Sequence, residues 1–138
     1  MRVQDLLAVH DHVRGRADVD DARVTVVGAG PMGVVALCAA ALEPGIRHAV
    51  AEQSLSSYME ILRARDYPET LVDLVVPGVL EDFDLPDLAA LAGPGRVTLV
   101  GPASATGIAL EPAEAAAAYG EHARVVPSLS DVVAELVR

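Results

Sequence analysis

Cysteine is nearly absent. The 138-residue sequence contains one, Cys38, which excludes a disulfide framework and a zinc site built on thiolates. In its alanine-rich, apolar setting it reads as a small buried hydrophobe. Positive charge is also scarce: 10 Lys and Arg stand against 20 Asp and Glu, a formal net charge of −10. Such a surface repels a phosphate backbone and an anionic membrane alike, which argues against nucleic acid and membrane as partners. Long hydrophobic runs are missing too, since no stretch approaches the ~18 apolar residues of a membrane span. The opening Met1-Arg2-Val3-Gln4-Asp5 carries charge where a signal peptide needs an uninterrupted apolar core, so the expected location is cytoplasmic. Linkers, low-complexity tails and repeats of fixed period are absent as well.

What is present is a chain 52% hydrophobic and of positive mean hydropathy, +0.37. That is enough to bury one core and too short for two ordinary domains, so residues 1–138 are read as a single domain. Leu6, Leu7, Val9 and Val13 recur at near-helical spacing and predict a helix over residues 3–14. Residues 23–27 are β-branched and end at glycine, and residues 32–42 have the composition of a buried helix. A second strand is predicted over 46–51, after the helix-stopping Glu43-Pro44-Gly45. A helical stretch follows, with Leu55, Tyr58, Met59 and Leu62 on one side. Pro68, Pro77, Gly78 and Pro86 break residues 66–85 into loop and one-turn helices before a helix near 87–92. Strand 96–100, helix 112–119, strand 123–126 and helix 130–137 complete the pattern. Strands alternating with helices predict a three-layer α/β/α domain with about four parallel strands in sequential order.

Gly28-Ala29-Gly30-Pro31-Met32-Gly33 is a literal G-x-G-x-x-G between predicted strand and helix. In that setting such glycines let a pyrophosphate approach a helix N-terminus. Glu52 ends the second strand about twenty residues on, where an acidic side chain accepts hydrogen bonds from an adenosine ribose. Gly28, Gly30, Gly33 and Glu52 are therefore candidate NAD(P)- or FAD-binding residues in a locally Rossmann-like unit. The same strand, sharp turn and helix also build the nucleophile elbow G-x-S-x-G of hydrolases, and the local pattern does not separate the two.

Four further segments bear on the choice. They are Leu55-Ser56-Ser57-Tyr58, Val76-Pro77-Gly78-Val79-Leu80, Phe83-Asp84-Leu85-Pro86-Asp87-Leu88 and the run from Arg96 to Pro102. In order and spacing these resemble the acetyl-xylan-esterase-like α/β-hydrolases, as does the approach Asp18-Val19-Asp20-Asp21-Ala22-Arg23-Val24. The resemblance spans roughly residues 5–120, and the segment that begins at Phe83 is its most specific part. It implies the C-terminal half of that fold, with the helices after the first three strands on one face and the last helix on the other.

It also implies what has become of the catalytic residues, since nucleophile, acid and histidine follow in that order along such a chain. The nucleophile position falls on Gly30, which has no hydroxyl, and Met32 replaces the glycine that follows the serine. The acid position falls on Ser104, in the loop after the third strand. The histidine position falls in Pro127-Ser128-Leu129-Ser130, so Ser128 stands there, and His122 precedes the last strand. The family's first four strands, with the loop that supplies half of the oxyanion hole, would lie outside this sequence. Alternatively, Gly30, Pro31 and Met32 relax the strained elbow and serve stability.

Other candidates read as structural. His10-Asp11-His12 mimics a metal cluster, but i and i+2 diverge on a helix, so a solvated face is expected and no metal site. His48 and His122 lack a second ligand at metal spacing. Glu81, Asp82, Asp84 and Asp87 form an acidic knot assigned to structure, with Asp87 capping the helix after Pro86. Tyr58 and Tyr67 are read as packing residues, Tyr58 with a place at the border of the old cleft.

Three functions follow as expectations. The first is a non-catalytic, hydrolase-like module that works by association, because strand 23–27 would be an apolar edge. Its partner would be a second copy or a chain supplying the missing half. The second is an NAD(P)- or FAD-binding domain, and the third an esterase with an unorthodox site.

Overall fold

A computed structural model describes residues 2–136. Its core is a parallel sheet of β1 (Thr25–Ala29), β2 (His48–Glu52), β3 (Val97–Val100) and β4 (Arg124–Val126), in the order β1-β2-β3-β4. The helices are α1 (Arg2–Arg14), α2 (Pro31–Leu42), α3 (Tyr58–Arg63), α4 (Val79–Asp82), α5 (Leu85–Ala92), α6 (Pro112–Tyr119) and α7 (Ser130–Leu136). The closing helix was predicted to reach Val137, which lies outside the described residues.

Side chains alternate across the sheet, so the register assigns each face. Val26, Ala49, Val97, Leu99 and Val125 join the main core with Val34, Leu37, Leu85, Leu88 and Tyr119, which puts α2, α5 and α6 on one side. Val50, Val100 and Val126 pack on Val132 and Leu129 on the other, beneath α7. This is the layering expected from the sequence. Burying a side chain such as Leu37 or Leu99, each at most 1% exposed, contributes about 2 kcal/mol.

Several boundaries and faces differ from the expectation. β1 starts two residues late because Asp20 caps a 3₁₀ turn, its carboxylate accepting from Ala22 N–H at 3.1 Å. The strand then runs on through Gly28 and Ala29. Of the stripe predicted near α3, Leu55 and Tyr58 are buried but Leu62 is 70% and Met59 38% exposed, and Ile61 takes the inner place beside Tyr58. Ser57 caps this helix, so it is only six residues long and its inner face is set by an i, i+3 pair. In α1 the inward stripe is the partly buried Val3, Leu6 and Leu7 with the buried His10, leaving Val9 outside. His10 is therefore not on a solvated face, although Asp11 and His12 are.

Residues 66–85 are broken as expected, into a 3₁₀ stretch Glu69–Leu74 and the short α4. At the start of α5 the cap is Asp84, with Asp87 closing the box by accepting from Asp84 N–H at 2.8 Å. Asp84 also accepts from Tyr58 N–H at 2.7 Å and from the Ser57 hydroxyl, tying α3 to α5. The acidic knot is thus structural at Asp84 and Asp87.

Candidate functional site

Parallel sheets of this kind present their working surface at the carboxyl ends of the strands. There β1 turns into α2 at Gly30, β2 ends in Glu52 and Gln53, and the loops after β3 and β4 carry Ser104 and Ser128. Two adjoining cavities result. One, of about 150 Å³, is lined by Gly30, Pro31, Gln53, Ala103 and Ser104. The other, of about 610 Å³, is lined by Glu52, Gln53, Ala103, Gly107 and Ser128. Gln53, Ala103 and Gly107 are common to both, so the predicted positions 30, 52, 104 and 128 belong to one continuous crevice.

The turn at Gly30 is sharp, with φ 54 and ψ −128. Glycine takes that conformation freely and other residues only under strain. The sharp turn is retained, and with glycine at position 30 it carries none of the strain that a serine there would. Gly28 and Gly33 are demanded by packing instead: a Cβ at Gly28 would stand 2.2 Å from the Met32 carbonyl oxygen, and one at Gly33 2.6 Å from Ser54 Cβ. At Gly30 a Cβ would meet nothing within 4 Å.

A phosphate cradle needs free amides at this turn. Gly30 N–H donates to the Glu52 carbonyl at 2.8 Å, and Gly33 N–H to the Gly30 carbonyl at 3.0 Å. Pro31 has no N–H, which leaves Met32 alone. The strand order adds a second objection, because a dinucleotide sits where the order reverses beside the glycine strand, and among the described residues the order runs on without reversal. The residues present do not fit a dinucleotide, although Glu52 does stand beside the turn, its strand paired with Ala29.

Neither serine at the predicted acid and histidine positions stands beside an imidazole. The Ser104 hydroxyl bonds Thr106 Oγ1 at 3.0 Å, and that of Ser128 bonds Ser130 Oγ at 2.9 Å. No histidine lines either cavity. His122 lies in a 3₁₀ turn ahead of β4, and His48 is engaged with the Gly95 carbonyl and Thr98 Oγ1. Activated nucleophiles require a base within hydrogen-bond reach, and among the described residues neither serine hydroxyl is bonded to an imidazole or a carboxylate.

Two features of the site are not visible in the sequence. Gln53 has φ 45, the only positive value among the described non-glycine residues, and its exposed side chain stands where the two cavities meet. Tyr58 is 6% exposed and lies away from the crevice, against Cys38. Burial, with the nearby Cys38 and Asp84, pushes its phenol up to about 12. Burial likewise raises the Cys38 thiol, which makes it a poor nucleophile.

Among the described residues no helix is long and apolar enough to cross a membrane. No protein-family model matches the chain, and no curated protein matches it in sequence.

Proposed function

We propose that this protein is a non-catalytic, α/β-hydrolase-like module that acts by association, pairing the β1 edge of one copy with that of a second. The observation that carries this reading is the end of the sheet. Among the described residues β1 pairs only with β2, and Val27 is 54% exposed although its register partner Val50 is fully buried beneath α7. The covering layer stops one strand short of the edge.

The outer side of β1 is ready for pairing. Val24 and Gly30 direct their backbone groups toward β2, through Arg47 N–H and the Glu52 carbonyl at 2.8 Å each. In a parallel ladder that leaves Thr25, Val27 and Ala29 pointing their N–H and C=O groups outward. The strand carries no charge to discourage edge-to-edge contact. Edge pairing satisfies those groups and covers Val27 together. The hydrolase-like part of the reading rests on the resemblance, on the sequential strand order and on the sharp turn at Gly30. The loss of catalysis rests on glycine and serines where nucleophile, acid and base would stand.

The test is molar mass by light scattering. A dimer is expected for the unaltered chain and a monomer for Val27→Pro, which removes one outward donor without touching the β1–β2 ladder. Unchanged far-ultraviolet circular dichroism should accompany the loss. A monomeric unaltered chain would rule out self-association. Thermal-shift assays with NAD⁺, NADP⁺ and FAD are expected to show no stabilisation, given the engaged amides at the glycine turn.

A further inference from the structure

The inner stripe of α1 ends in a polar ring. His10 is 2% exposed, and neither of its ring nitrogens has a hydrogen-bond partner. Buried polar atoms are nearly always paired, so this ring is an anomaly that asks for a ligand. Its surroundings supply the rest of a coordination shell. Nδ1 stands 3.6 Å from Asp11 Oδ1, too far for a hydrogen bond. Glu43, at the end of α2, brings a third donor, and one ligand atom from each of His10, Asp11 and Glu43 lies within 4.8 Å of the others. Glu43 and His10 meet over Gly45, where a Cβ would stand 2.6 Å from Arg14 Nη1, 2.8 Å from Glu43 Oε1 and 3.1 Å from His10 Cε1.

We propose that His10, Asp11 and Glu43 bind a divalent transition-metal ion, with Zn²⁺ the chemical fit. One imidazole and two carboxylates give three protein ligands and leave a fourth position for water. Ligand atoms around tetrahedral zinc are roughly 3.3 Å apart, so His10 and Asp11 are already near that spacing and Glu43 closes in. Glu43 Oε1 accepts from Gly45 N–H at 2.7 Å, which leaves Oε2 for the metal. The ion enters from the Asp11 side, where that side chain is 74% exposed. A competing cation is already present: Arg14 Nη1 is 3.8 Å from Glu43 Oε1 and, being 38% exposed, has room to swing into solvent. The site is remote in the chain from the crevice residues and independent of the association reading.

Calorimetric titration of the full chain with ZnCl₂ tests this, alongside Asp11→Asn, Glu43→Gln, Arg14→Ala and His12→Gln. One ion per chain is expected. Asp11→Asn and Glu43→Gln should each weaken binding by more than the roughly tenfold that a lost outer partner costs. Removing the competing guanidinium in Arg14→Ala should tighten it, and His12→Gln should leave it unchanged. Circular dichroism of each variant checks that the fold is retained. Absence of saturable binding, dependence on His12 in place of Asp11 and Glu43, or weakened binding in Arg14→Ala would each overturn the proposal.

Discussion

A hydroxymethyl group at position 30 would enter open space, so the obstacle to a serine there is the backbone, held at φ 54. Strain of this kind costs on the order of 1–3 kcal/mol. Gly30→Ser should lower stability in urea by about that amount and yield no turnover of a chromogenic acetyl ester, because no imidazole lines the crevice. Turnover that tracks the variant would reveal a base not recognised in the geometry. At this scale the sequence was only partly legible. The convergence of positions 30, 52, 104 and 128 could be read from the resemblance and the glycine turn. The strained Gln53 could not, since a positive φ outside glycine and asparagine has no residue signature. His10 escaped because a polar residue closes an otherwise apolar stripe, and the stripe through Val9 and Val13 read equally well.

Between elements, Arg96 does more than open a strand. Its guanidinium donates to Ala92 O and Ile46 O at 2.5 Å each, to Glu43 O at 3.1 Å and to Ala40 O at 3.3 Å. It thereby satisfies carbonyls at the C-terminal ends of both α2 and α5 and in the turn that leads to β2. Replacing it by alanine should destabilise the fold by about 2 kcal/mol, the scale of a charged hydrogen bond. Lysine, with one compact ammonium in place of the planar fork, should recover only part of this in the same urea titration. The strands themselves were legible because β-branched runs bounded by glycine and proline mark them. Their first residues were not, as the 3₁₀ turn before β1 shows. The α3 face was misread because a helix this short is placed by its cap and not by its periodicity.

For the molecule as a whole, the buried phenols tie stability to alkaline pH. Tyr58 is raised to about 12, and Tyr119, whose hydroxyl donates to the Ser56 carbonyl at 2.7 Å, is raised further by burial. The unfolded chain releases these protons near pH 10 while the folded chain still holds them, so stability falls as pH rises. The contribution is complete below about pH 10 and, for Tyr58, is lost by about 12. Urea midpoints should therefore decline over that window, and Tyr58→Phe should flatten the decline without removing the part due to Tyr119. A decline of equal slope in the variant would remove Tyr58 from the account.

The sheet order carries a consequence for how the chain is made. Because the strands lie side by side in the order in which they occur, each strand emerging from the ribosome finds its neighbour already synthesised, and the sheet can grow in one direction without leaving a gap to be filled later. β2 docks on β1, β3 on β2 and β4 on β3. Among the described residues, no strand that follows β1 in the chain pairs with the side of β1 away from this growth.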